Sequence, residues 1–201
     1  MRFTVTYEGP LLPQKKANSE HKQKIRSHFN EQLSLLWEHK PLSGVLDLAM
    51  GRRTADLVGN TDHALAGTEP PETDGWCKCV GEHWFLPIVS DQLHSSASLR
   101  IKWFRTETPG KLLQAGDIDN RVKTLCDALQ IPPLGQVLPE LLQSSRDSPF
   151  LCILEDDALI TELSVATERL LKRDVDRNDA LVIVEVVTQV SEIDLDNMHL
   201  I

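Results

Sequence analysis

No stretch of this chain approaches the roughly 18 consecutive apolar residues of a membrane span, so no transmembrane segment is expected. Its four cysteines, Cys77, Cys79, Cys126 and Cys152, are too few to staple a domain of this size. Positive charge is in deficit: 21 Lys and Arg face 30 Asp and Glu, for a net charge of −9. That deficit argues against tight, nonspecific coating of DNA, which draws on a cationic surface. It is also uneven. Residues 1–60 hold nine cations against six acids, and residues 154–201 hold four against twelve. A local basic groove over an acidic metal site stays compatible with the total, because bound cations offset acid. Internal repeats and long low-complexity tracts are absent. The opening residues, Met1 to Tyr7, alternate like a strand and lack the blocks of a secretory signal, so a cytoplasmic location is expected.

With 201 residues, the chain is long enough to bury a core and is read as one domain over 1–201. An insertion at about 41–80 and an acidic tail at 191–201 are expected to decorate it. Residues 2–8 read as a strand, with Phe3, Val5 and Tyr7 on one face. A helix is predicted from about Asn18 to Glu38, burying Ile25, Phe29, Leu33 and Leu36. Further strands are predicted over Ala97–Arg105, 159–170 and Ala180–Val190. In the first of these, Leu99, Ile101 and Trp103 alternate with Arg100 and Lys102. In the last, Leu181, Ile183 and Val187 are among the apolar residues. Residues 130–149 read as an irregular connection with a short helical piece near Glu140. The fold class is α+β, a small mixed sheet packed with helices and carrying loop insertions.

Lys15, Lys16, Lys22, Lys24 and Arg26 are interrupted by one acid, Glu20. They read either as a phosphate-contacting arm and helix or as a solvated helix face. Cys77, Cys79 and His83 are suitable zinc ligands. Their Cys-x-Cys spacing is not the usual two-residue knuckle and no second pair follows, so a plain thiol pair is the reading adopted.

Two acidic stretches carry the chemistry. In the first, Ile118, Val122, Leu125 and Leu129 recur at helical spacing, and Cys126 widens their stripe. Asp119, Lys123 and Asp127 form a second stripe beside it. Asp117 stands at or near the N-cap, and Asp127 is read as a surface residue able to pair with Lys123. Two aspartates one residue apart at a helix entrance can converge on a hard divalent cation, which takes oxygen ligands. The second stretch is Leu154-Glu155-Asp156-Asp157-Ala158-Leu159. As an extended segment it points one aspartate toward the helix and the other away, and spacing does not say which. A calcium loop fits badly, since Arg121 takes the third ligand position and Ala128 the place of the bidentate Glu. Solvated acidic turns and a surface ion-pair ladder remain the bland alternatives.

The ordered set Asp117, Asp119, Asn120, Lys123, Asp127-Ala128-Leu129 and Asp156-Asp157-Ala158 resembles the signature of RusA-type Holliday junction resolvases. That resemblance implies a homodimeric, magnesium-dependent endonuclease cutting branched DNA. It places the metal ligands on Asp117, Asp119 and Asp157, with Asp156 in reserve, and the essential lysine on Lys123. Mg²⁺ or Mn²⁺ would be the cofactor. The alternative is a noncatalytic nucleic-acid or protein-binding module on the same fold.

Overall fold

The computed structural model describes residues 1–51, 75–106, 117–142, 144–145, 147–172, 176, 178–193 and 197–198. Pro109-Gly110, whose residue types favour a turn, the pair Arg52-Arg53 and most of the 41–80 insertion lie outside these residues. The fold is α+β. Where the sequence suggested one mixed sheet, the strands divide into two.

The larger sheet has four strands: β1 (Arg2–Pro10), β4 (Ser95–Arg105), β6 (Ile160–Arg169) and β7 (Asp179–Val190), in the order β1-β7-β4-β6. β7 is antiparallel to both neighbours, and β4 and β6 are parallel. The smaller sheet has β2 (Lys78–Val80), β3 (His83–Val89) and β5 (Phe150–Leu154), with β3 and β5 parallel. β3 runs into β4 and β5 into β6 through two short 3-10 turns, Asp91–Leu93 and Asp157–Leu159. These two corners carry the chain from one sheet to the other side by side.

Glu155 clasps the corners. Its carboxylate accepts from Ser90 Oγ at 2.5 Å and from the Asp91 backbone N–H at 3.2 Å, and it pairs with Lys78 Nζ at 3.2 Å. Its own N–H donates to Val89 at 2.8 Å. His94 ends the first corner in the left-handed region, φ 46°. Its carbonyl accepts the Ser191 N–H.

Helix α1 (Ser19–Trp37) starts at Asn18, whose side chain accepts the His21 N–H at 2.9 Å. Ile25, Phe29 and Leu33 are buried as predicted, but Trp37 rather than Leu36 closes the stripe. The four-residue step from Leu33 leads to position 37, and the larger side chain fills it. After the short helix α2 (Leu46–Ala49), the third helix, α3 (Asp117–Leu129), packs against α1 and β5.

The core joins Ile25, Phe29 and Leu33 of α1 to Val122, Leu125 and Leu129 of α3 and to the inner face of the four-stranded sheet. In β7 the inner face is Ala180, Val182, Val184 and Val186, not the odd-numbered set Leu181, Ile183 and Val187, which is half-buried on the other side. Both sets are apolar, so alternation alone could not choose between them. In β4 the prediction holds: Leu99, Ile101 and Trp103 are buried, and Arg100 and Lys102 stand exposed on the outer face.

Sheet edges receive different treatment. The β1 edge is closed by Gln32 of α1, whose amide accepts the Thr6 N–H at 2.9 Å and donates to the Thr6 carbonyl at 2.7 Å. The β5 edge is closed by Asn30, which accepts the Leu151 N–H at 2.8 Å, and by a parallel bridge from Gln130 to Leu154. β6 has no such cover among the described residues.

Candidate active site

α3 is enclosed on more sides than its sequence suggests. Beyond the predicted stripe, Arg121 and Thr124 are also buried. Arg121 donates to the carbonyl of Leu11 and, at 3.1 Å, to Asn178 Oδ1, while Thr124 Oγ1 donates to the Asn120 carbonyl at 3.0 Å. Among its described side chains, the ones the helix leaves exposed are Asp119 and Lys123, one turn apart.

Those two residues open into a groove of about 630 Å³ between α3 and β6. Ile118, Val122 and Cys126 of α3 form one wall, and Ile160, Leu163 and Val165 of β6 form the other. Asp157 joins them from the corner between β5 and β6. Its position is set by Gln130, the residue that follows α3, whose Oε1 accepts the Asp157 N–H at 2.6 Å. The Ile131 N–H donates to Leu154 at 3.1 Å, so the end of the helix and the end of the strand are tied together. The first acidic motif thus supplies Asp119 and Lys123 to the groove, and the second supplies Asp157.

The extended reading of the second motif is corrected: Asp156 caps a 3-10 turn, accepting the Ala158 N–H at 2.8 Å. This turn separates the paired aspartates. Asp157 enters the groove, whereas Asp156 lines a different depression of about 460 Å³ with Lys78, Gln130 and Glu155. Asp156 therefore lines this neighbouring depression rather than the groove that holds Asp119, Lys123 and Asp157. Asp117 opens α3, but its side chain lies outside the described residues. Among the described residues, no group of three or more His, Cys, Asp or Glu is gathered as a metal site. Among the described side chains, the carboxylates that line the groove are Asp119 and Asp157. Oxygen donors of this kind are the class a magnesium ion takes, commonly one or two carboxylates with water and phosphate oxygens completing its shell.

Asp127 does not pair with Lys123. It pairs with Lys22 Nζ at 2.7 Å, in the seam between α1 and α3. Arg26, two per cent exposed, donates to the carbonyls of Asp127 at 2.7 Å and Gln130 at 3.1 Å, and to Gln23 Oε1 at 2.8 Å. A cation there complements the carbonyl end of α3. Lys22 and Arg26 are thus structural ties and not phosphate contacts. The signal was present, since both flank Ile25 and Phe29 at helical spacing. Lys24 is exposed and pairs with Glu20 at 2.7 Å. Lys15 and Lys16 are exposed on a turn fastened to α3 by the Gln14 N–H, which donates to the Asn120 carbonyl at 3.1 Å.

Burial, with Asp157 and Asp127 adding to it, pushes the Cys126 thiol up to about 11. The thiol is neutral near pH 7, and the groove wall it forms is apolar. Elsewhere, Cys77 and Cys79 donate to the carbonyls of Phe85 and Gly81 at 3.3 Å each. His83 Nδ1 lies 3.4 Å from Ser144 Oγ.

No protein-family model matches the chain, and no curated protein or solved structure matches it either.

Proposed function

We propose that the groove between α3 and β6 is the catalytic groove of a metal-dependent endonuclease that hydrolyses phosphodiester bonds in branched DNA. One observation carries this reading. Asp119, Lys123 and Asp157, drawn from two separate motifs, line a single groove, and none of their side chains is engaged in a hydrogen bond or ion pair among the described residues. Three neighbouring acids among the described side chains are committed to structure: Asp127 to Lys22, Glu155 to the strand corners, Asp156 to its turn. A surface ion-pair ladder would have used these three groups on one another.

In this reading Asp119 and Asp157, with Asp117, would hold Mg²⁺ or Mn²⁺. The bound ion would supply an activated water and charge neutralisation at the phosphate. Lys123 brings a mobile positive charge one turn from Asp119, placed to stabilise charge on a phosphate oxygen. Ile118, Val122, Leu163 and Val165 give the groove apolar walls that limit water around the reacting group. Lys15 and Lys16 remain available to a DNA backbone. A two-fold dimer would present two such grooves for the paired cuts a four-way junction requires.

The second reading is a noncatalytic nucleic-acid or protein-binding module on the same fold; the burial of Lys22 and Arg26, on a chain of net charge −9, favours its protein-binding form. The test is cleavage of a labelled four-way junction, flap, duplex and single strand with Mg²⁺ or Mn²⁺, beside Asp119→Asn. Symmetric junction cuts lost in the variant support the resolvase reading. Cutting of another substrate, equally lost, keeps the groove and changes the substrate. Junction binding without any cutting selects the binding module.

A further inference from the structure

Asp156 and Asp157 are consecutive, yet they open into two different hollows. Asp157 lines the groove with Asp119 and Lys123, and Asp156 lines the depression of about 460 Å³ beside it. That volume falls within the roughly 300–1,000 Å³ of small-ligand pockets. Val80, Ile131, Pro132 and Pro133 form its apolar walls. The segment that follows α3 is stiff there. Its two proline rings fix their backbone angles, the Ile131 N–H donates to the Leu154 carbonyl at 3.1 Å, and Gln130 bridges to Leu154.

The polar groups of the depression are only half used. Gln130 lines it and does not line the groove. Its Oε1 is committed to the Asp157 N–H at 2.6 Å. What it offers the depression is the two N–H groups of Nε2, which have no partner among the described residues. Asp156 Oδ1 accepts the Ala158 N–H at 2.8 Å, and its Oδ2 has no partner among the described residues. The two side chains are near neighbours, because the N–H that Gln130 holds belongs to the peptide bond joining Asp156 to Asp157. The depression therefore sets a donor beside an acceptor, next to apolar walls. Lys78 and Glu155, also on its rim, pair with each other at 3.2 Å, so Asp156 leaves the rim negative. A phosphate is repelled there, and a neutral group that both gives and takes a hydrogen bond is favoured.

We infer, resting on the nuclease reading of the groove, that the depression receives one unpaired nucleobase of the strand whose phosphate lies in the groove. Every nucleobase carries a donor next to an acceptor on its Watson–Crick edge: amine and ring nitrogen in adenine and cytosine, ring N–H and carbonyl in guanine and thymine. Base pairing hides that edge, so only an unpaired or extruded base presents it. Asp156 accepts from the base's donor, Gln130 Nε2 donates to its acceptor, and the ring lies against Val80, Ile131 and Pro132. Because Asp156 and Asp157 adjoin, the base in the depression and the phosphate in the groove come from one short run of a single strand. A plain duplex has to break a pair before it can fill both hollows. The depression thus separates substrates that the groove alone treats alike.

The test uses the full chain and a labelled four-way junction in which each nucleotide around the branch point is replaced in turn by an abasic site. A second series uses N3-methylthymine, which keeps the ring and blocks the Watson–Crick edge. At one position both replacements should raise KM about tenfold, the worth of one or two hydrogen bonds, with turnover at saturating DNA unchanged. Asp156→Asn retains a capping side chain and replaces the free acceptor by a donor, and Val80→Trp fills the depression. Each variant should raise KM about tenfold on the unmodified junction and match the parent on the abasic one. Anisotropy without metal gives the affinity for the same series independently of cutting. Cutting with no dependence on any base overturns the inference and leaves the groove standing. Variants that lose as much on the abasic junction overturn it too, as does junction binding without base dependence. Base-dependent affinity without cutting keeps the depression and overturns the groove's chemistry. No affinity for any junction overturns both.

Discussion

Lys22 and Asp127 meet at 2.7 Å in the seam between α1 and α3, with only 10% and 14% of their side chains exposed. They come from positions 105 residues apart, and neither is available for the roles their sequence neighbourhoods suggest. Removing one partner leaves a charge in poor contact with water. Lys22→Met or Asp127→Leu alone is expected to cost about 3 kcal/mol, while the double variant recovers most of that loss. Urea unfolding of the two singles and the double checks this. A double variant no more stable than the singles contradicts it.

Gln130 joins the end of α3 to the Asp157 N–H at 2.6 Å. Gln130→Ala should cost about 1 kcal/mol of stability, the worth of one hydrogen bond, yet lower junction cleavage by about tenfold or more because Asp157 loses its anchor. The informative comparison is kcat against the denaturation midpoint. Full activity in this variant would show that the tie does not position the aspartate.

The paired aspartates should separate cleanly in function. Asp157→Asn is expected to lower cleavage by roughly a hundredfold or more with stability changed by less than about 0.5 kcal/mol. Asp156→Ala should do the reverse: near-normal turnover, with about 1 kcal/mol lost because the turn loses its cap. Lys123→Ala should behave like Asp157→Asn. Measured side by side, equal losses at positions 156 and 157 would defeat the assignment.

Burial pushes the Cys152 thiol up to about 12 and is the larger cause of the rise of Cys126 to about 11, both from an ordinary value of 9.0. Groups raised in the fold favour it fully below their unfolded value, and that contribution is lost as pH climbs through the folded one. Stability is therefore expected to decline between about pH 9 and pH 12. Tyr7, pushed up to about 12 by burial and by Asp179, adds to the upper part of that decline. Urea midpoints at pH 8 and pH 11 should differ less in Cys152→Ala than in the parent. At pH 8, iodoacetamide should label the exposed Cys79 well before Cys126 or Cys152.

Some of this could be read from the sequence because local periodicity and burial agree. Ile118, Val122, Leu125 and Leu129 are spaced four, three and four apart, and α3 follows directly. Leu99, Ile101 and Trp103 alternate with basic residues, and β4 follows. The pattern of β7 failed to fix its inner face because Val182, Val184 and Val186 are interleaved with equally apolar Leu181, Ile183 and Val187. The division into two sheets is not legible in the sequence because it lies at two short turns, Asp91–Leu93 and Asp157–Leu159, fastened by contacts of Glu155 with Lys78, Ser90 and Asp91, which are distant in the chain. The burial of Lys22 and Arg26 is hidden from the sequence for a related reason. A long cation on a helix is ordinarily solvated, and only the approach of the end of α3 makes burial favourable. The groove itself was half legible: its acids and lysine stood in the motifs, but its second wall on β6 is a tertiary feature.

Gln32 has one more consequence. Its amide occupies the Thr6 N–H and carbonyl on the edge opposite β6. Head-to-tail joining of β6 to the β1 of another molecule would propagate into a fibre, and would first have to evict that side chain. One amide therefore guards that margin at Thr6 against the addition of a further strand.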